Sequence, residues 1–312
     1  MEGTTNGDLL QIIMKPRLWG VLYMHQFRLT GSQFSDICQV SRNLDSNYSP
    51  EDEPMQNVVR PAVRGFVFQK ERTLPAIDLL NRIPRSKPRK VIDLGCGPGY
   101  TTALLTRRFR QAEIVGIDLS EDALELARAH LPKVQFGKFE ISSWTESGPY
   151  DLIFSNGALQ WVPRHHVLLP KLLASLAPRG RLALQIPSNW QEPNRALMRM
   201  VAVDGPWAKK LLPIAKTRST TEAFESYYGM LRQFCRSIDI WQTTYVHPLD
   251  GVQSIVEWMK ATGLGPFLNP LDDAERRSFI EAYTTELTRA YPVQPDGTVL
   301  LRFPRLFILA RS

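Results

Sequence analysis

The chain has 312 residues, 43% of them apolar and 22% charged, and its 38 basic and 31 acidic residues give a net charge of +7. This is globular composition, which excludes a wholly disordered or fibrous chain, and the lack of any run of about 18 apolar residues excludes a spanning helix. The basic residues are scattered and their densest cluster, Arg82 to Lys90, is short. The charge therefore predicts a surface that draws in a small anionic ligand, with no nucleic-acid or membrane face.

Residues 1–65 mix polar runs with short apolar pieces and show no period, so they are expected to be an irregular or disordered extension. Its apolar stretch from Leu9 to Met24 is broken by Lys15, Pro16 and Arg17 and reads as no signal peptide. Cys38, Cys96 and Cys235 are odd in number, widely spaced and free of any C-x-x-C pair. They predict neither a disulfide framework nor a zinc site, and a cytoplasmic location.

Regular patterning starts near Thr73. Ala76, Leu79, Leu80 and Ile83 recur at helical spacing. Strands are expected at 90–94, 112–118, 134–139, 150–155 and 181–186. Helices are expected at 101–109, at 120–131 with Ser120 as N-cap, and at 167–176, closed by a Pro178-Arg179-Gly180 turn. This alternation predicts an α/β fold with a doubly wound, mostly parallel sheet. Beyond Pro187 the text reads as helix over 188–230, strand over 238–245, then helices at 252–262 and 272–291, the latter capped by Asp272. Two antiparallel strands, 299–301 and 303–310, are expected after a Pro295-Asp296-Gly297 turn. The helical stretches at about 188–235 and 250–292 read as insertions that roof the strand ends of a single domain spanning 66–312.

The strongest chemical signal is Asp93-Leu94-Gly95-Cys96-Gly97-Pro98-Gly99, between a strand and a helix. Gly95, Gly97 and Gly99 permit a tight turn and close approach of a ligand to the backbone. A dinucleotide loop would receive a pyrophosphate at the helix N-terminus. Here a carboxylate, Asp93, stands beside the loop, which suits a cationic ligand instead. S-adenosylmethionine carries an ammonium and a sulfonium and no phosphate. Asp118, at the end of the second strand, is placed to accept hydrogen bonds from ribose hydroxyls. Glu140 is placed to accept from the adenine amino group. Asn156 and Gly157 follow the fourth strand, at the edge where open α/β sheets bind ligands.

In this order Asp93, Gly95, Cys96, Gly97, Gly99, Asp118, Glu140 and Asp151 resemble the class I S-adenosylmethionine-dependent methyltransferases. A narrower likeness lies in Ser155-Asn156-Gly157-Ala158-Leu159-Gln160-Trp161-Val162-Pro163 and in Gln185-Ile186-Pro187-Ser188-Asn189-Trp190-Gln191-Glu192-Pro193. It continues through Asp239 to Tyr245, Glu257 to Leu264 and Phe303 to Ile308. These segments resemble the trans-aconitate methyltransferase family, over a span from about Phe68 to Ser312 that includes Phe68-Gln69-Lys70-Glu71-Arg72.

The resemblance implies S-adenosylmethionine as cofactor and an O-methyltransferase that forms a methyl ester on a small carboxylic acid, trans-aconitate in that family. An ionised carboxylate needs no general base, so catalysis would rest on positioning, with Gln160, Trp161 and His247 as candidates. The other carboxylates of a polyacid need cations, for which Arg305, Arg195, Arg218 and His247 are candidates. Trp161, Trp190, Trp241, Tyr245 and Trp258 could wall the cavity. A secondary-metabolite acceptor is the alternative within the class. A hydroxyl acceptor would ask His165, His166 or His247 to act as base. A non-catalytic cofactor-binding partner is the alternative outside it. No metal is expected, and the protein is expected to be a monomer.

Overall fold

A computed structural model describes residues 68–144, 148–217 and 219–312. The expected extension over 1–65, Cys38 and Arg218 lie outside the described residues. Seven strands form one sheet: β1 (Lys90–Leu94), β2 (Glu113–Asp118), β3 (Gln135–Lys138), β4 (Tyr150–Asn156), β5 (Leu176–Pro187), β6 (Ser237–Asp250) and β7 (Thr298–Arg311). Their order is β3-β2-β1-β4-β5-β7-β6. The first five are parallel, and β7 inserts antiparallel between β5 and β6. The strand order reverses between β1 and β4, which opens a crevice at their carboxyl ends.

The short apolar runs become central strands because both of their faces are covered. On one face Val91, Ile114, Leu152, Phe154, Ala183 and Phe307 pack against α1 (Gln69–Arg82) and α2 (Tyr100–Arg108). On the other, Ile92, Ile153, Leu182, Leu184 and Ile308 pack against α4 (His165–Ala174) and α7 (Phe224–Arg232). Between these helices in the chain, α3 (Glu121–His130) follows β2, and the Ser120 hydroxyl accepts from Ala123 N–H at its start, as expected of the cap. The remaining helices are α5 (Pro193–Val203), α6 (Ala208–Ala215), α8 (Gly251–Thr262), α9 (Gly265–Leu268) and α10 (Asp273–Ala290). They bury a second core with Leu249, Val299, Leu301 and Phe303, beyond the carboxyl end of the parallel strands. Asp272 starts α10 with a full capping box to Glu275. Helix α7 thus covers the sheet, while its neighbours α5 and α6 belong to the second core.

Three expectations need correction. The C-terminal segment is one strand, not two: the run from Thr298 to Arg311 pairs continuously with β6, because neither Arg302 nor Pro304 brings a turn with it. Pro178-Arg179-Gly180 does not close a helix. It lies within β5, where the register jumps from Tyr150↔Leu176 to Leu152↔Arg181 and Arg179 takes φ 69°. Strand β6 continues past the expected end at Tyr245 as far as Asp250, so His247 is a strand residue paired with Leu301.

Candidate active site

The glycine loop is tied to the second strand. Gly95 and Cys96 both donate to Ile117 O, and Asp118 Oδ2 accepts from Gly97 N–H at 2.9 Å while Oδ1 accepts from Ser120 N–H at 3.0 Å. All three loop glycines have positive φ. Their roles differ. A Cβ on Gly95 would stand 2.2 Å from that of Ala158, so Gly95 is needed for packing. A Cβ on Gly97 would meet nothing within 4 Å, so the loop faces open space there. The Cys96 side chain turns into the core, where burial raises its thiol pKa, and its backbone is held within the loop by Ile117 O and Gly99 N–H.

Asp93 is fully buried at the end of β1. Its Oδ2 accepts from the Thr102 hydroxyl at 2.7 Å, and its Oδ1 is buried with no partner. Burial, with the Asp118 charge adding and the Thr102 bond opposing, pushes its pKa up to about 7. Asn156 donates from Nδ2 to Arg72 O at 3.4 Å, and its Oδ1 also lacks a partner. Gln160 folds back to donate to Gly157 O at 2.6 Å and leaves Oε1 unpaired. Near the loop, then, the unmatched buried groups are acceptors. Glu140 is exposed and accepts from the Ser142 hydroxyl. Two exposed apolar residues, Leu119 at 57% and Phe139 at 42%, directly follow Asp118 and precede Glu140. They offer faces for a flat ring. The sequence reading missed them because a single apolar residue after a strand gives no periodic signal.

Across the crevice most of the unmatched groups are donors, although Glu192 Oε2 and Asn194 Oδ1 are buried acceptors without partners there. Arg305 on β7 is 5% exposed, and its Nη1 donates to Gln185 Oε1 at 3.2 Å while its Nε has no partner. Among the described residues no carboxylate forms an ion pair with it. Its guanidinium lies 4.6 Å from the Phe303 ring and 5.9 Å from that of Tyr245. Burial pushes its pKa down to about 9, opposed by Tyr245 and reinforced by the Arg72 charge, so it stays cationic at neutral pH. Gln185 Nε2, Asn189 Nδ2, Trp258 Nε1 and Arg195 Nε are likewise buried donors without acceptors. Unpaired buried donors of this kind are costly unless a ligand satisfies them. Gln185 and Asn189 carried no individual assignment from sequence, although a glutamine inside Leu-Ala-Leu-Gln-Ile-Pro was a legible signal.

The aromatic residues divide. Trp258 is 1% exposed and stacks with His247 at 5.0 Å, with Phe68 at 4.6 Å and Phe303 at 5.4 Å on its other sides. Burial first, then Arg305, pushes the His247 pKa down to about 4, so its ring is neutral. Tyr245 stacks parallel to His247 and donates its hydroxyl to Asp78. Trp190 is half-buried under the Arg199 guanidinium, 4.3 Å from its ring. Trp161 sits half-buried in a 3-10 turn, Leu159–Trp161, after β4. Trp241 is not a wall of this cavity: it stacks on Phe307 under α1 with Arg82 over it.

Other expectations also shift. His165 is buried between the Tyr227 hydroxyl and Leu159 O, and His166 is exposed on α4, so neither is placed as a base. Asp151 accepts from Arg89 and Lys90 N–H at the opposite end of the strands, a structural tie. Arg195, on α5, donates to Thr262 O at 3.3 Å and packs so closely on Gly263 that a Cβ there would stand 2.1 Å from its Nη1.

A family model described as a methyltransferase domain matches residues 68–228. The Trans-aconitate 2-methyltransferase of Methylobacterium nodulans is 48% identical over 250 residues, covering 80% of this chain and 97% of that protein. The protein of the same name from Yersinia pestis is 45% identical over 245 residues, covering 78% and 95%. Among solved structures, the YcgJ protein of Bacillus subtilis aligns at 14% identity with a TM-score of 0.48, over 76% of this chain and 96% of that one, a likeness too low to bear on the assignment. The chain belongs to the S-adenosylmethionine-dependent methyltransferases and, within them, to the trans-aconitate 2-methyltransferase family.

The residues present fit this cofactor. The orphan acceptors of Asp93 and Asn156 suit an ammonium, the open face of Gly97 admits a ligand against backbone, and Asp118, with one N–H on each oxygen, retains acceptor capacity on both. When bound, the cofactor supplies an electrophilic methyl group on a sulfonium. Among the described residues no three His, Cys, Asp or Glu side chains gather as a metal site, and no helix is long and apolar enough to cross a membrane.

Proposed function

We propose that the enzyme esterifies one carboxylate of trans-aconitate. The observation that carries this reading is Arg305: a buried cation that no carboxylate among the described residues pairs with, on the side of the crevice where most unmatched buried groups are donors, across from a set of unmatched acceptors. A cationic cofactor fits the acceptor side and a polyanion the donor side. The names of the relatives at 45–48% identity support the same acid.

Chemically the protein has little bond-making to do. The acceptor carboxylate is ionised at neutral pH and needs no base. Arg305, held by Gln185, fixes a carboxylate that is not methylated, and Trp258, Phe303 and neutral His247 keep water from it. Asp93 and Asn156 orient the amino group of the donor. Positioning of this kind is worth roughly 7–11 kcal/mol in effective-molarity terms. Opposite charges approach as reaction proceeds, so a dry crevice strengthens the attraction. We take the roof to be the second core formed by α5, α6 and α8–α10, and the enzyme to act as a cytoplasmic monomer, a setting that suits its buried free thiols Cys96 and Cys235.

The test is methyl transfer from labelled S-adenosylmethionine to trans-aconitate, cis-aconitate, citrate and itaconate. Ester formed preferentially on trans-aconitate supports the reading. Silence on all four acids with the cofactor still bound would overturn it.

A further inference from the structure

Arg72 has no assignment in the reading above, and its surroundings set it apart from an ordinary surface arginine. Its backbone carbonyl accepts from Asn156 Nδ2, which fixes the start of α1 against the end of β4, where the acceptor side of the crevice lies. Its side chain is half-buried and reaches the last turn of α8, where Nη2 donates to Ala261 O at 3.3 Å. Arg195 donates to the next carbonyl, Thr262 O. The partial negative charge at that helix end helps hold the two guanidiniums there.

The two arginines nevertheless differ. Arg195 has a sealed Nε and is wedged on Gly263. Arg72 has no hydrogen bond from its other nitrogens among the described residues, and none of them is sealed from solvent. It is also near enough to Arg305 for the two charges to repel. No carboxylate among the described residues forms an ion pair with either. Two neighbouring cations, one buried and one half-buried, with no carboxylate paired to either among the described residues, are an arrangement that a bound anion relieves.

We propose that Arg72 and Arg305 together form a receptor for two carboxylates, Arg72 holding a second carboxylate of the acceptor that is not the one methylated. This rests on the carboxylic acid reading above and deepens it: the enzyme would select polycarboxylates over monocarboxylates by counting charges. A tricarboxylate leaves two carboxylates after one takes the methyl, which matches two cations. The amino-acid part of the cofactor also carries a carboxylate, and the experiment separates the two sources.

Arg72→Gln and Arg72→Lys are compared with the wild-type enzyme in three measurements: kcat and KM for trans-aconitate, the Kd of S-adenosylhomocysteine by calorimetry, and thermal unfolding. The expected result for Arg72→Gln is a KM raised about 10- to 100-fold, the range for a lost hydrogen bond to a charged group. Its kcat and the Kd of S-adenosylhomocysteine should stay within about threefold of wild type, and Arg72→Lys should recover part of the loss. An unchanged KM would overturn the proposal. So would a weakened S-adenosylhomocysteine Kd that accounts for the whole defect, since the guanidinium would then serve the cofactor. If Arg72→Gln does not fold, wild-type enzyme is given trans-aconitate and the same acid with one carboxyl converted to an amide. Equal KM for every monoamide that still accepts a methyl would overturn the proposal. Wild-type enzyme that methylates no polycarboxylate would overturn the functional reading and this proposal with it, whereas active wild type with an unaffected Arg72→Gln overturns the proposal alone.

Discussion

The parallel half of the sheet and the antiparallel half with its added helices solve opposite problems in one crevice. At the ends of β1 and β4 the buried groups left over are oxygens: Asp93 Oδ1, Asn156 Oδ1 and Gln160 Oε1. Around β5, β7 and the second core they are chiefly N–H groups of Arg305, Gln185, Asn189, Trp258 and Arg195. A protein does not leave such groups unmatched without cost. The pattern makes sense when each side is completed by a ligand of the opposite character, a cation on one and a polyanion on the other. The sheet register sets the two sides next to each other, because Asn156 pairs with Gln185 and Gln185 accepts from Arg305.

Breaking the frame should have the largest effect. Gly95→Ala places a Cβ 2.2 Å from that of Ala158 at φ 73°. A loss of about 3 kcal/mol is expected from combined overpacking and left-handed strain. Chemical denaturation should detect it as a lower midpoint. Next in size is the donor side. Arg305→Gln should raise the KM for the acceptor acid about 100-fold while leaving cofactor titrations unaffected, and a Kd for cofactor that rises in parallel would merge the two sides into one.

The acceptor side can be sharpened by pH. Asp93 has a folded pKa raised to about 7 from an ordinary 3.8. In the free protein the stability it contributes is present below pH 3.8 and lost as pH rises through 7. Asp93→Asn, which cannot ionise, should therefore unfold at a higher temperature than wild type at pH 8, and the gap should close at pH 4. An ammonium ligand favours the ionised form, so cofactor affinity of the wild type should rise about tenfold between pH 6 and 8. Calorimetry at several pH values reads both, and a flat profile would remove Asp93 from the ammonium site. The smallest effect expected is on folding of Gly97→Ala. Its Cβ meets nothing, so stability should fall by only about 1 kcal/mol, yet cofactor binding should weaken because the Cβ occupies the space the ligand needs.

The two halves were also unequally legible. The parallel half announces itself in order: a strand, three glycines with an acid before them, a second strand ending in Asp118, and Ser120 as a cap that the structure bears out. Each signal is local, set by turn geometry or capping chemistry within a few residues. The donor side is assembled from distant segments. Arg72, Gln185, Trp258 and Arg305 meet through α1, the end of α8 and the pairing of β7 with β5, contacts that no window of sequence contains. Arg305 could still be singled out, because a lone arginine in an apolar strand is conspicuous, whereas Arg72 entered only as part of the Phe68-Gln69-Lys70-Glu71-Arg72 element of the family resemblance, with no role of its own. Trp241 misled for the complementary reason. An aromatic residue on a strand can face either layer, and in β6 it faces α1.

The most direct test crosses two variants with two ligands. Asp93→Asn and Arg305→Gln are each titrated with S-adenosylhomocysteine and, in its presence, with trans-aconitate. The division of the crevice into an acceptor side and a donor side predicts that Asp93→Asn weakens the first ligand at pH 8 and spares the second, and that Arg305→Gln does the reverse. If both variants weaken both ligands equally, or if Arg305→Gln binds the acid as wild type does, the division is wrong.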